Sequence, residues 1–153
     1  MRLAKEAVSP GVLLAEVRDG VKGIADDAGV EIVLDVSSDL APISADHARL
    51  RLAISNLATN AIRHAPRGSA VRLRVRAAQD GVRFEVDDAG PGVPVGERER
   101  IFEPFVRGSN EKSEGAGLGL TIAREVVRAH GGRIGVTEAD GGGARFWVEV
   151  PGR

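Results

Sequence analysis

Asn56, Asn60 and Arg63 stand at i, i+4 and i+7. On a helix that spacing aligns two carboxamides and a guanidinium on one face, about 100° from the stripe Leu50, Ile54, Leu57. A carboxamide oxygen is a neutral, hard ligand suited to one position of a hydrated Mg2+ whose other ligands are waters and phosphates. A guanidinium beside it neutralises phosphate charge. The same residues also serve as the solvated face of an amphipathic helix, and the motif alone leaves both readings open. A second cluster, Asp88, Ala89, Gly90, Pro91 and Gly92, directly follows a run with strand alternation. Its glycines let the backbone turn sharply and approach a ligand closely. The Asp88 carboxylate can accept a hydrogen bond from an exocyclic amine such as adenine's. Guanine presents a carbonyl oxygen there, so a carboxylate favours ATP over GTP. An acidic β-turn has the same composition.

The third cluster, GAGLGL from Gly115 to Leu120, opens a helical pattern. Consecutive amides near a helix N-terminus make an anion site, and small residues let a triphosphate come close. The spacing is G-x-G-x-G with no strand before it, which excludes a dinucleotide fingerprint. A phosphate loop ending in Gly-Lys-Ser or Gly-Lys-Thr is absent, as are the HRD and DFG triplets of protein kinases. A metal-ligand helix, an adenine acceptor and a phosphate loop are together the parts an ATP site needs.

These clusters need elements to position them. Ser9 before Pro10 predicts an N-cap, and Leu13, Val17, Ile24 and Ala28 then recur inward along a first helix ending near Gly29. Val30 to Val36 alternates as a strand before the breaker-rich stretch from Ser37 to Pro42. The second helix runs from about Asp46 to the stop at Pro66 and Gly68. Val71 to Arg76 and Val82 to Asp87 alternate around Gln79, Asp80 and Gly81, predicting a hairpin whose arginines lie on a solvated face. The segment from Gly90 to Gly119 reads as a long loop, of the kind that is functional or disordered. A third helix follows from Leu118 to His130, with Ile122, Val126 and Ala129 inward. A hairpin then pairs Ile134 to Thr137 with Ala144 to Val150. This order predicts an α+β fold: a two-layer α/β sandwich with a mixed, mostly antiparallel sheet covered on one face by three helices.

Length and composition narrow the classes. The 153 residues suit a single domain, residues 1–153, burying about two-thirds of its unfolded surface. A net charge of -1 and 3% aromatics with no Tyr argue against a nucleic-acid partner. No cysteine is present, which excludes disulfides, thiolate metal sites and cysteine nucleophiles. No apolar run approaches the ~20 residues that cross a bilayer, so no membrane contact by this domain is expected.

NLATNAIRH, DAGPG, FEPFVRG and GAGLGL resemble the N, G1, F and G2 boxes of the catalytic and ATP-binding domain of sensor histidine kinases, in the GHKL ATPase superfamily. The likeness runs from the first helix to the closing GGGARFWVEVP. The resemblance implies ATP and Mg2+ as cofactors. It makes Asn60 the metal ligand and, with Arg63, a catalytic residue, puts Asn56 beside the phosphates, and has Arg63 and His64 border the triphosphate and ribose. Asp88 would receive the adenine amino group. Gly90, Gly92 and Val93 would shape the base pocket, and Gly115, Gly117, Leu118, Gly119 and Leu120 the phosphate end. The loop from about Val93 to Gly117 would be the ATP lid, its base pinned by Phe102 and Phe105. Arg107 would face phosphate or the partner domain. Lys112 is a weaker lid candidate, better read as a solvated lysine. Ala116 and Ala144 stand where the family commonly has Thr; with backbone amides making most phosphate contacts, their loss tunes affinity.

One position separates enzyme classes. Superfamily ATPases such as gyrase and heat-shock chaperones, and the anti-sigma serine kinases, carry a general-base Glu four residues before the metal-binding Asn. Here Asn56 stands there, and an amide has no usable basicity. A neutral imidazole acceptor needs no such base. The family's phosphoacceptor His precedes Glu or Asp, whereas His47, His64 and His130 precede Ala65-type small residues or Gly. The acceptor is therefore expected outside this chain, on the dimerisation and histidine-phosphotransfer domain of a parent kinase, for relay to a response regulator. Residues 1–9 would be the remnant of that junction, and the domain alone a monomer. A cytoplasmic location follows, with membrane anchoring of the parent left open. The rivals are an anti-sigma-type serine kinase and a non-catalytic ATP-sensing interaction module.

Overall fold

A computed structural model describes residues 1–104 and 118–153. Strand β1 (Glu6–Val8) leads into helix α1 (Pro10–Ala28), followed by β2 (Glu31–Val36), β3 (Ile43–Ala45) and helix α2 (His47–His64). Strands β4 (Ala70–Ala78) and β5 (Gly81–Asp87) precede two 3-10 turns, Val95–Glu97 and Arg100–Phe102. Helix α3 (Gly119–Ala129) and strands β6 (Arg133–Glu138) and β7 (Ala144–Pro151) complete the order.

The helix boundaries follow from their caps. Ser9 accepts the Val12 N–H, and Gly29 closes α1 at φ 68° with its N–H on Ala25 and Asp26 carbonyls. Asp46 caps α2 by accepting the Arg49 N–H at 3.1 Å. Ala65 ends α2 in extended conformation, as a residue before proline must.

Five strands form one sheet in the order β2-β4-β5-β7-β6. β2 and β4 are parallel and the other pairs antiparallel, with Leu34 opposite Leu73, Val75 opposite Phe84 and Phe84 opposite Val148. Val71, Leu73, Val75, Phe84, Phe146 and Val148 all point to the helix-covered face and are buried. The mixed two-layer sandwich expected from the pattern is what forms. α2 packs between α1 and α3 over this face.

Three features differ from the sequence expectation. β1 and β3 pair as a separate two-stranded sheet, so Glu6–Val8, within the stretch expected as a junction, is built into the fold. Three-residue strands are too short to show a period. Ile24 is 52% exposed, because the buried row Leu13, Val17, Val21, Ala25 precesses around α1 and leaves it behind. Ile122 likewise lies at the border of a stripe made by Leu120, Ala123, Val126 and Val127.

The opposite sheet face carries the expected arginines, but as a network. Glu85 has a side chain only 3% exposed, set among Arg83 at 2.8 Å, Arg74 at 3.4 Å, Arg76 at 3.6 Å and Arg145 at 4.0 Å. Arg83 also bonds Glu149 and lies 4.6 Å from the Trp147 ring centroid. Burial would raise the Glu85 carboxyl, but the Arg83 hydrogen bond and the charges of Arg145, Arg83 and Arg76 outweigh it and hold it below the ordinary value. A carboxyl depressed in the folded chain contributes stability above its unfolded pKa and loses it as pH falls through the folded one. Glu85→Gln should therefore cost roughly 1–3 kcal/mol at neutral pH. The gap to wild type should close in acid, as checked by urea unfolding across pH.

Candidate functional site

The second half of α2 supplies the first part of the site. Asn60 is 5% exposed, and its Oδ1 accepts a bond from Arg63 Nη2 at 2.9 Å. His64 Nδ1 donates to the Asn60 carbonyl at 2.9 Å, which assigns the proton to Nδ1. Asn56 reaches the other way: its Nδ2 donates to the Gly119 carbonyl at 3.1 Å, joining α2 to the start of α3. The first amides of α3, from Gly119 to Thr121, have no carbonyl a turn earlier within the helix, as at any helix start.

Asp88 sits at the end of β5, 5% exposed. Its Oδ1 accepts the Gly90 N–H at 2.8 Å and, more weakly, the Ala144 N–H at 3.4 Å. Oδ2 has no hydrogen bond within the chain among the described residues. Burial raises the carboxyl above its ordinary value; the two backbone bonds and the nearby His64 oppose this. Glycines are obligatory around it. A Cβ on Gly90 would lie 2.6 Å from the His64 carbonyl oxygen, and one on Gly143, at φ 85°, would lie 2.1 Å from the Asp88 carbonyl oxygen. Gly92 adopts φ 79°, the left-handed region that favours glycine. The DAGPG turn thus seats directly on the C-terminal end of α2, so that Asp88, His64, Asn60 and Arg63 form one cluster.

Comparison with known proteins bears on the family and the fold. The full-length structure of ShkA in complex with AMPPNP superposes with a TM-score of 0.87 at 41% identity, over 99% of this chain and 32% of that one. The ATP-binding domain of PrrB from Mycobacterium tuberculosis gives 0.76 at 29% identity, over 97% of this chain and 98% of that one. The alginate biosynthesis sensor protein KinB of Pseudomonas aeruginosa is 39% identical over 122 residues, 80% of this chain and 20% of that protein. Residues 45–153 match the model of the histidine kinase-, DNA gyrase B- and HSP90-like ATPases. The chain belongs to that family. It spans between a fifth and just over a third of the curated relatives it matches first.

Other expected site residues of this ATPase domain take varied places. Phe102 is buried, edge-on to Phe146 at 6.1 Å, and its carbonyl accepts the Thr121 hydroxyl at 2.8 Å. This bond ties the Arg100–Phe102 turn to α3. Val93 packs against the core, and its carbonyl accepts Arg98 Nε. Leu120 is buried, whereas Leu118 is 45% exposed. Arg107, Gly115 and Gly117, with Phe105, Lys112 and Ala116, lie outside the described residues.

Sequence reasoning missed two positioning groups. His130, read as a helix end, is 4% exposed; Nδ1 donates to the Val126 carbonyl and Nε2 accepts the Asp46 N–H at 3.0 Å. This ties the end of α3 to the start of α2. Gly143 was legible only as part of a turn, because its contact lies 55 residues away in sequence at Asp88.

A raised carboxyl destabilises the folded chain while ionised, and that penalty fades as pH falls through the raised folded pKa toward the unfolded one. Carboxyl NMR should find the Asp88 midpoint above the ordinary Asp range. The stability of Asp88→Asn relative to wild type should improve as pH rises through that midpoint.

Proposed function

We propose that this ATPase domain binds ATP with Mg2+ and donates the γ-phosphoryl group to a histidine on a separate dimerisation and phosphotransfer domain, for relay to an aspartate of a response regulator. The observation that carries the reading is Asn56. At the position where a water-activating base would stand, a carboxamide donates to the Gly119 carbonyl, and an amide cannot take a proton from water or serine. An acceptor imidazole supplies its own lone pair. The P–O bond to the β-phosphate breaks as a P–N bond forms, ADP leaves, and the imidazole proton passes to solvent.

The remaining residues bind and orient. Asp88 accepts the adenine amine through Oδ2, and the glycines at 90, 92 and 143 keep the base pocket free of side chains. Arg63 and the α3 amides hold phosphate charge, the positioning and neutralisation that phosphoryl transfer requires. The buried Asn60 carboxamide suits one hard-cation position, and Arg63, now on the same oxygen, is placed to turn toward phosphate. Mg2+ bound there would neutralise charge on the phosphate oxygens.

The isolated chain should bind ATP and hydrolyse almost none. Mixed with a cognate helical hairpin and labelled ATP, it should yield acid-labile phosphohistidine; an acid-stable phosphoserine would establish the serine-kinase reading instead, and tight binding without transfer the sensing module. Asp88→Asn should weaken ATP by about tenfold or more, the scale of one lost charge-assisted hydrogen bond, with less effect on GTP. Because the amine pairs with the ionised carboxyl, wild-type affinity should decline as pH falls through the Asp88 midpoint, and the variant's should not.

A further inference from the structure

β6 ends the strand order, so among the described residues one of its edges has no strand beside it. The Ala139 N–H bond to the Gly143 carbonyl continues the β6–β7 ladder one step beyond Glu138 and Ala144. Odd-numbered residues of β6 therefore exchange bonds with β7, and the amides and carbonyls of Ile134 and Val136 face outward. An unpaired row of this kind is a template for another strand.

Along this edge runs a groove of about 630 Å3. Four guanidiniums line it, from Arg98, Arg124, Arg128 and Arg133, against two carboxylates, Glu99 and Glu103. Arg133 is held by Glu149 at 2.6 Å and Arg98 donates Nε to the Val93 carbonyl. Arg124 and Arg128 have no ion-pair partner among the described residues, and the Arg124 Nε is buried without an acceptor. A buried guanidinium donor left unmatched is costly, and it marks where an acceptor belongs. On the other side the groove is floored by Gly135 and the Trp147 ring; a Cβ at Gly135 would come 2.5 Å from that ring.

We propose that this edge docks an extended acidic segment of a partner polypeptide, which adds to β6 as a further strand and turns alternate carboxylates toward Arg124 and Arg128. The backbone row of Ile134 and Val136 supplies the pairing, and the two unmatched arginines select the charge. Period-two carboxylates fit both features at once, whereas a flexible polyanion meets only the arginines. This surface is separate from the nucleotide cluster, so its test stands whether or not the chain binds ATP.

The chain has one tryptophan, and it lies in the groove. Titration of the full chain with the octapeptide Glu-Val-Glu-Thr-Glu-Val-Glu-Thr should give a saturable change in Trp147 emission and shift the Ile134 and Val136 amide resonances. A Gln-for-Glu peptide should bind about tenfold more weakly, the loss expected for charge-assisted contacts. Arg124→Gln should weaken the acidic peptide similarly, and so should Arg128→Gln, an exposed position that leaves the core intact. N-methylation of alternate peptide amides should abolish binding. Absence of any emission or amide response at millimolar peptide overturns the proposal. So does equal affinity for the N-methylated peptide or for polyphosphate, which would identify a plain anion surface.

Discussion

A carboxylate taken out of water must be compensated by hydrogen bonds, and the Asp88 site is organised by that requirement. Compensation comes from the Gly90 and Ala144 amides, in a turn packed so closely that Gly90 and Gly143 leave no room for a Cβ. A methyl group at Gly90 would strike the His64 carbonyl, and one at Gly143 would strike the Asp88 carbonyl. The end of β5, the start of β7 and the last turn of α2 are thereby fixed against one another. Compensation is incomplete: burial holds the carboxyl above its ordinary value against both backbone bonds and the nearby His64, and both of those bonds fall on Oδ1. A largely desolvated carboxylate with one oxygen left for a ligand favours ligands that bring a proton over ligands that do not.

The two helices that carry the polar cluster are held at both ends of their contact. Asn56 bonds Gly119 where α3 begins, and Asp46 bonds His130 where it ends. Eleven helical residues span about 16 Å, which matches the ten-residue advance from Asp46 to Asn56 along α2. Each joint pairs a side chain with a backbone group, so both fix axial register as well as separation.

Much of this was legible in the sequence. The cap at Ser9, the period of α2 and the alternation of β4 and β5 are local signals, and each element formed where those signals lay; that Asp46 caps α2 is shown by the structure. The clusters around Asn60 and Asp88 were visible because their residue types and spacing are local too. What escaped depends on contacts across long sequence separations. The pairing of β1 with β3, the His130–Asp46 joint and the approach of Gly143 to Asp88 have no periodicity to betray them. Alternation placed the arginines of β4 on the solvated face, yet it could not show that Glu85 is buried among them, because that follows from the register with β5 and β7. Arg124 and Arg128 carry no local signal of a site, because the groove they line is formed with β6 and with residues 98–103.

The shared carboxylate at Glu85 has a consequence for how this sheet face can vary. Several guanidiniums lean on one anion, and Arg83 and Arg145 hold second anions of their own, Glu149 and Asp87. Changing any one charge reorients its neighbours, so the effects of replacements here do not add. Drift across the surface must then proceed by concerted exchanges, with an acid and a base replaced together, while the apolar face beneath tolerates independent swaps of similar volume.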